Sequence, residues 1–163
     1  MSLSEEVESL IADAPLSAHL ATSVDDRPHV APVWYVYENS ETYRAVSDRA
    51  VTESPQVWLL TGGKKLRNVR QNPRVALSIE RADESGVDWA AQLLGTARIV
   101  DDERQVATIE AALDRKYRGG EGTTDGGTDA GEDGTDGGEE WALLAVRVGS
   151  GTAQRYGSES GEG

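Results

Sequence analysis

The sequence contains no cysteine, no phenylalanine and a single methionine. The absence of cysteine excludes disulfides, thiolate zinc sites and cysteine nucleophiles. Without phenylalanine, the core has to be built from Val, Leu, Ile, Ala, Trp and Tyr. No apolar run approaches the roughly 20 residues of a membrane span, and residues 1–14 lack the pattern of a signal peptide. We therefore expect a soluble, cytoplasmic protein.

Positive charge is also scarce. The 163 residues include 29 acidic and 16 basic side chains, which gives a formal net charge of −13, and the lysines are Lys64, Lys65 and Lys116 alone. We expect no nucleic-acid partner, because no basic face compensates the acidic total. Such a composition is typical of halophilic proteins, since high salt screens self-repulsion. A chance bias in composition is the alternative explanation.

Much of the negative charge lies in the segment 119–138, which consists of Gly, Asp, Glu and Thr with almost no apolar residue. Such a segment cannot bury enough surface to offset its ordering entropy. We expect a single domain over 1–156 that contains a disordered acidic loop at 119–138, followed by a flexible tail over 157–163.

Hydrophobic periodicity predicts a mainly β fold. The spacing predicts a helix before Pro15, a helix over 64–71 and a helix that starts at Asp101-Asp102 and carries Tyr117 on its apolar stripe. Gly95 predicts a kink or bulge. We interpret 42–55 as an inserted loop with room for a short strand at 43–46, and 81–86 as a loop. The predicted strands are 17–24, 29–38, 56–61, 74–80, 88–100 and 141–148, the last with an extension over 152–156. Because hairpins join most of them, we expect an antiparallel barrel with two or three flanking helices.

One short segment has the features of an anion site, namely Thr61-Gly62-Gly63-Lys64-Lys65. A strand ends there, two glycines turn the chain, and a helix begins with two ammonium groups. Free backbone N–H groups and the positive end of the helix dipole favour a phosphate. The spacing is not that of a Walker loop or a dinucleotide fingerprint. A plain solvated helix start is the alternative reading of this segment alone.

The second feature is Pro32, which lies inside the predicted strand 29–38. Proline removes a ladder hydrogen bond, so it is expected at an edge strand or beside a ligand. The sequence leaves both interpretations open.

Taken together, the spaced motifs resemble the FMN-binding split-barrel family related to pyridoxamine 5'-phosphate oxidase. The resemblance covers roughly 16–117 and is carried by His19-Leu20-Ala21-Thr22, by Arg27-Pro28-His29-Val30-Ala31-Pro32-Val33-Trp34, by Lys64-Lys65-Leu66-Arg67-Asn68, by Asn72-Pro73-Arg74-Val75-Ala76-Leu77 and by Leu94-Gly95-Thr96-Ala97. It implies a six-stranded antiparallel split β-barrel with Greek key connections. It also implies a homodimer with one flavin mononucleotide (FMN) in each of two interface clefts.

The resemblance also assigns roles to residues. Lys64 and Lys65 match the basic pair that grips the FMN phosphate, and the hydroxyl of Thr61 can reach the same phosphate across Gly62. Many relatives have serine where this chain has Gly63, so one hydroxyl contact is missing. Arg67 and Asn68 match positions near the phosphate, although Arg67 is equally suited to a surface ion pair. The residues that match the strand along the flavin ring and ribityl chain are Val30, Ala31, Pro32, Val33 and Trp34.

Three further residues carry weaker matches. Gln92 has the strand parity of a flavin-contacting glutamine, and Arg155 and Tyr156 lie where relatives send a terminal strand towards the partner's flavin. The chain lacks the Arg-rich C-terminal substrate motif of the true pyridoxamine phosphate oxidases. We therefore do not expect it to be the vitamin-B6 oxidase proper.

The resemblance implies an oxidoreductase that transfers a hydride through the flavin to or from a nicotinamide or another small molecule. No general acid or base is assignable, so two alternatives stay open. One is a reductase that uses a deazaflavin coenzyme, and the other is a non-catalytic flavin- or haem-binding module. His19 and His29 do not make a convincing metal site without cysteine.

Overall fold

The computed structural model describes residues 3–50, 54–118 and 140–156. The predicted acidic loop and tail lie outside these residues. The strands are β1 Ala18–Val24, β2 Arg27–Val33, β3 Val36–Tyr37, β4 Gln56–Gly62, β5 Arg74–Asp83, β6 Gly86–Val100 and β7 Trp141–Arg155. The helices are α1 Glu5–Ile11, α2 Glu41–Val46, α3 Gly63–Gln71 and α4 Glu103–Leu113, and a π-helical turn follows at Asp114–Arg118. Across the described ranges, no helix is long and apolar enough to cross a membrane.

The seven strands form one antiparallel sheet in the order β2-β1-β5-β6-β7-β4-β3. Its edge strands β2 and β3 are joined by Trp34 and Tyr35 alone. Three residue steps span at most about 11 Å, whereas seven flat strands would hold the two edges roughly 29 Å apart. The sheet therefore curls until its two edges meet. The edge strands β2 and β3 are not hydrogen-bonded to each other where they meet, and the fold is therefore a split barrel.

The mainly β prediction is confirmed, with one strand more than expected. The predicted strand over 29–38 is divided at Trp34 and Tyr35 into β2 and β3. The two residues at the division belong to neither strand. Their position at the junction of the two edges explains why the strand is interrupted.

Helix α2 contradicts the loop, and the short strand within it, that we expected at 42–55. The Ser40 hydroxyl accepts a hydrogen bond from the Tyr43 N–H and caps the helix. The Asp13 carboxylate accepts further bonds from the N–H groups of Glu41 and Thr42. Tyr43 is 1% exposed. A cap supplied from Asp13 and one buried ring stabilise a helix that is too short to show a periodic pattern.

The core has two parts that share the wall formed by β4 and β7. Inward residues such as Leu59 and Leu144 fill the barrel, while Trp58 and Leu143 face the other way and pack with α2 and α4. Both strands are therefore apolar on both faces, as a wall between two cores requires.

The hairpin between β5 and β6 is longer than predicted. Its strands run to Asp83 and from Gly86, so the loop expected over 81–86 is reduced to a tight turn. The bend predicted at Gly95 is confirmed, because the register of β6 against β7 shifts between Leu94 and Gly95. A Cβ atom at Gly95 would lie 2.6 Å from the Arg147 carbonyl oxygen.

We expect Gly95→Ala to lower the free energy of unfolding by about 1–3 kcal/mol, because backbone must move to admit the methyl group. Gly149→Ala is the matched control, since its Cβ would lie 3.8 Å from the nearest atom, the Leu94 carbonyl oxygen. Urea denaturation of both variants tests this. Equal losses would show that the bulge tolerates a side chain.

Candidate functional site

Helix α3 begins without a side-chain cap, in contrast to α1, α2 and α4. Gly62 is its N-cap residue and has no side chain to cap the helix, and Gly63 has a φ of +67°. That conformation favours glycine and would strain a serine. The missing serine noted above is therefore explained by the local backbone. No side chain of the described residues caps the N–H groups in the first turn of α3, and this turn contains no acidic residue.

The positive charges on α3 are distributed unevenly. Lys64 and Arg67 are exposed, while Lys65 is 5% exposed. Within the described ranges, no hydrogen bond or ion pair engages these three side chains. Arg70, by contrast, is paired with Glu140 at 3.1 Å. The start of α3 therefore carries cationic side chains whose charge no described acid neutralises.

Buried polar residues connect α3 to the edge strand β2. The Asn68 amide donates a hydrogen bond of 3.0 Å to the Thr22 hydroxyl, and both residues are buried. Thr22 pairs with His29 of β2. Asn68 thus holds α3 against the β1–β2 hairpin, which brings the start of α3 and β2 to the same side of the barrel.

Side-chain exposure alternates along the part of β2 that belongs to the predicted flavin-lining segment 30–34. Val30 and Pro32 face outward, Ala31 is half-buried, and Val33 lies in the core. Pro32 lies on an edge strand, as one of its two interpretations requires. Trp34 is half-buried and stacks on Tyr117.

Thr61 is 1% exposed and lies on the same face of β4 as the core residue Leu59.

Gln92 lies on the outer face that also carries Val30 and Pro32. Cross-strand partners share a face, and the pairing joins two rows across the sheet. One row is Val30-Ala21-Ala76-Leu94, and the other is Pro32-His19-Ser78-Gln92-Thr152. Three strand spacings, about 14 Å, separate Gln92 from β2, so one chain does not bring the two together. Val30 is 61% and Leu94 57% exposed on this outer face.

Arg155 and Tyr156 lie far from α3. Arg155 ends β7 and forms an ion pair of 3.1 Å with Glu6 of α1, whereas Trp141 at the other end of β7 pairs with Gly62. The Tyr156 N–H donates to the Asp88 carbonyl oxygen. Within one chain, the structure therefore does not join Arg155 or Tyr156 to the start of α3.

The sequence did not reveal a cluster at the split of the barrel. The Tyr35 N–H donates to the Tyr117 hydroxyl at 3.2 Å, and the Lys116 ammonium donates to the Tyr35 carbonyl oxygen at 2.9 Å. The Tyr117 hydroxyl in turn donates to the Leu16 carbonyl oxygen at 2.8 Å. The Trp34 and Tyr117 rings are stacked, with centroids 4.3 Å apart and planes at 3°.

Lys116 is the most unusual charge in this cluster. Its Nζ lies 3.5 Å from the Tyr35 ring centroid. Burial lowers the pKa of Lys116 from 10.5 to about 7, against the opposing effect of the Asp13 carboxylate. Burial likewise raises the pKa of Tyr35 and of Tyr117. The scarcity of lysine was the one sequence signal that could have drawn attention to Lys116.

A groove elsewhere on the surface lies between α4 and the ends of β6 and β7. It is lined by several acids, by Arg70 and by the half-exposed Trp141; the acids are Asp101, Asp102, Glu103, Glu110 and Glu140. This acidic lining repels a phosphate, and the groove contains none of the predicted flavin residues. Among the described residues, no group of three or more His, Asp or Glu side chains is arranged to hold a metal ion.

The family model described as pyridoxamine 5'-phosphate oxidase matches residues 4–137. The chain belongs to this family. The resemblance that the motifs indicated is therefore confirmed. No curated protein sequence matches the chain.

Solved structures share the fold of this pyridoxamine 5'-phosphate oxidase family member. A FAD-binding protein from Mesorhizobium loti has a TM-score of 0.59 at 17% identity, covering 94% of this chain and 95% of its own. An F420 reductase has a TM-score of 0.56 at 23% identity, covering 89% and 94%. A conserved hypothetical protein from Mycobacterium tuberculosis has a TM-score of 0.63 at 19% identity, covering 100% and 94%.

Lys116 gives stability a defined pH dependence. Between its folded pKa near 7 and its ordinary pKa of 10.5, the unfolded chain binds a proton that the folded chain does not. Unfolding free energy therefore rises with pH in this window, by at most about 1.4 kcal/mol per pH unit. Below pH 7 both states are protonated and the slope vanishes. Above about pH 10 the tyrosines, which burial keeps neutral when folded, reverse the trend.

We expect the wild type to gain about 2–3 kcal/mol of unfolding free energy from pH 7 to 9.5 relative to Lys116→Met. Urea titrations across this range measure the difference. Arg115→Met, which removes an exposed charge from the same turn, should keep the wild-type slope. An unchanged slope in Lys116→Met would contradict a buried, neutral amine.

Proposed function

We propose that this protein binds a flavin cofactor, FMN in the first instance, with the phosphate at the start of α3. The observation that carries the proposal is the uncapped start of α3, where Gly63 turns the chain and Lys64 and Lys65 have no described acidic partner. Backbone N–H groups and two ammonium groups at a helix start fit a dianionic phosphate. Family membership and the names of two structural neighbours, a FAD-binding protein and an F420 reductase, support the same cofactor class.

The residues of β2 complete the proposed site. Asn68 and Thr22 hold β2 beside α3, so a ligand whose phosphate lies at Lys64 can extend along the free edge of β2 towards Trp34. Pro32 donates no hydrogen bond at this edge, and the chain carries no partner strand there among the described residues. A planar heterocycle fits such an open edge.

We further propose that the bound flavin serves an oxidoreductase, for which it supplies hydride transfer. The chain's own residues would bind the phosphate, orient the ring and exclude water. A deazaflavin coenzyme is the second candidate, because a structural neighbour is an F420 reductase. Its phosphate would use the same turn.

We also propose a homodimer formed through the outer face of β2, β1, β5 and β6. Val30 and Leu94 are exposed large apolar residues, and they belong to one row with the small side chains of Ala21 and Ala76. An exposed apolar row of this kind favours a second copy. A second copy would also bring its own Gln92, Arg155 and Tyr156 within reach of a site that one chain leaves incomplete.

The phosphate site is tested with the double variant Lys64→Ala, Lys65→Met. Methionine keeps the volume of the buried Lys65 side chain. Two charge-assisted hydrogen bonds are worth about 1.5–3 kcal/mol each, so we expect FMN affinity to fall by about two decades or more. Arg98→Ala, Arg104→Ala is the matched control, because it removes two exposed charges elsewhere.

Isothermal titration with FMN, riboflavin and a deazaflavin coenzyme, at several ionic strengths, separates the outcomes. Riboflavin lacks the phosphate, so it should bind wild type and the double variant equally weakly. Equal affinity of the wild type for FMN and riboflavin would contradict a phosphate site at the start of α3. Tighter binding of the deazaflavin than of FMN would favour the second candidate.

The dimer is tested by sedimentation of Leu94→Asp. We expect wild type to sediment at twice the chain mass of 17.5 kDa and the variant to shift towards the monomer. Ile99→Asp is the control, because Ile99 is an exposed apolar residue of β6 that pairs with the inward-facing Leu144 and therefore does not belong to the outer face. A monomeric wild type that binds FMN fully would contradict the interface.

A further inference from the structure

Trp34 and Tyr35 join the two edges of the sheet without belonging to either strand. The polar groups of Tyr35 therefore find their partners outside the sheet. The π-helical turn supplies them, because Tyr117 accepts from the Tyr35 N–H and Lys116 donates to the Tyr35 carbonyl oxygen. Both backbone groups at the split are satisfied by two adjacent side chains that lie more than 80 residues further along the chain.

The same turn also orients the Trp34 indole. Its ring lies parallel to the Tyr117 ring at a centroid distance of 4.3 Å. The Tyr117 ring is itself held, since its hydroxyl donates to the Leu16 carbonyl oxygen and its residue follows the buried Lys116. Trp34 directly follows the strand β2, along which the proposed flavin extends.

We propose that Lys116 and Tyr117 are positioning residues of the flavin site, which fix the Tyr35 backbone and the plane of the Trp34 indole at the end of β2. The proposal rests on the proposed function. Lys116 and Tyr117 act through Trp34 and Tyr35 and do not touch the ligand. Their loss should therefore weaken flavin binding through misplacement of the end of β2.

The charge of the Lys116 ammonium offers a second test, through the pH dependence of FMN affinity. The groups that face the Lys116 ammonium are the Asp13 carboxylate and the Tyr35 and Tyr117 rings. Loss of the ammonium charge as pH rises through 7 removes its attraction to the Tyr35 ring. We expect the ratio of FMN affinities, wild type over Lys116→Met, to fall between pH 6 and 9. Equal FMN affinity of wild type and Lys116→Met at pH 6, where the amine is charged, would overturn the role assigned to Lys116.

The role of Tyr117 is tested with Tyr117→Phe, which keeps the stacked ring, and Tyr117→Leu, which removes ring and hydroxyl. We expect Tyr117→Leu to lower FMN affinity about tenfold and Tyr117→Phe about threefold. The near-ultraviolet circular dichroism of the Trp34–Tyr117 stack should be lost only in Tyr117→Leu. Arg115→Met, an exposed neighbour in the same turn, should bind FMN as the wild type does.

A double-mutant cycle separates positioning from general stability. In a Trp34→Leu background, Tyr117→Leu should lower FMN affinity only about threefold, the share of its hydroxyl, because the partner of its ring is already absent. An undiminished effect in that background, or wild-type affinity in Tyr117→Leu, would overturn the proposal. If Tyr117→Leu does not fold, Tyr117→Phe decides, because wild-type FMN affinity in that variant would overturn the proposal. If wild type binds neither FMN nor the deazaflavin, the proposed function itself fails.

Discussion

The structure depends on the short connection between β2 and β3. Because only Trp34 and Tyr35 separate strands at opposite edges of the sheet, the remaining strands have to curl into a barrel that closes at that point. The closure is made by side chains instead of a strand ladder. The contacts of Lys116 and Tyr117 with the Tyr35 peptide take the place of strand pairing, and they bring the end of α4 to the split.

The elements that could be predicted from sequence are those with a repeating pattern or a strong local signal. The strand β4, the helix after Gly62-Gly63, the Asp102 cap and the bend at Gly95 all follow from apolar alternation, turn residues and caps. Helix α2 escaped detection because its stability comes from Asp13 and from one buried tyrosine. A single helical turn and a half carries too few residues to display a period of 3.6.

The candidate site likewise has one part that could be predicted from local sequence and other parts that could not. The start of α3 is local in sequence, and the positive φ of Gly63 explains why this chain lacks the serine that many relatives have there. The cluster around Lys116 joins residues that are far apart in the chain, and nothing in a linear pattern relates Tyr35 to a lysine after α4. Gln92, Arg155 and Tyr156 lie away from α3 within one chain, and a contribution from them is part of the proposed homodimer.

The position of β7 has a consequence for how the chain is made. This last strand is inserted between β6 and β4, so residues 141–147 pair with 56–62 on one side and with β6 on the other. Until β7 leaves the ribosome, the paired strands β3 and β4 are not joined to the rest of the sheet, and the wall that the two cores share is incomplete. Such long-range pairing delays folding. Biosynthesis has to pass residue 155 before the barrel can close. During that interval the chain's excess negative charge opposes association through the apolar surface of β4.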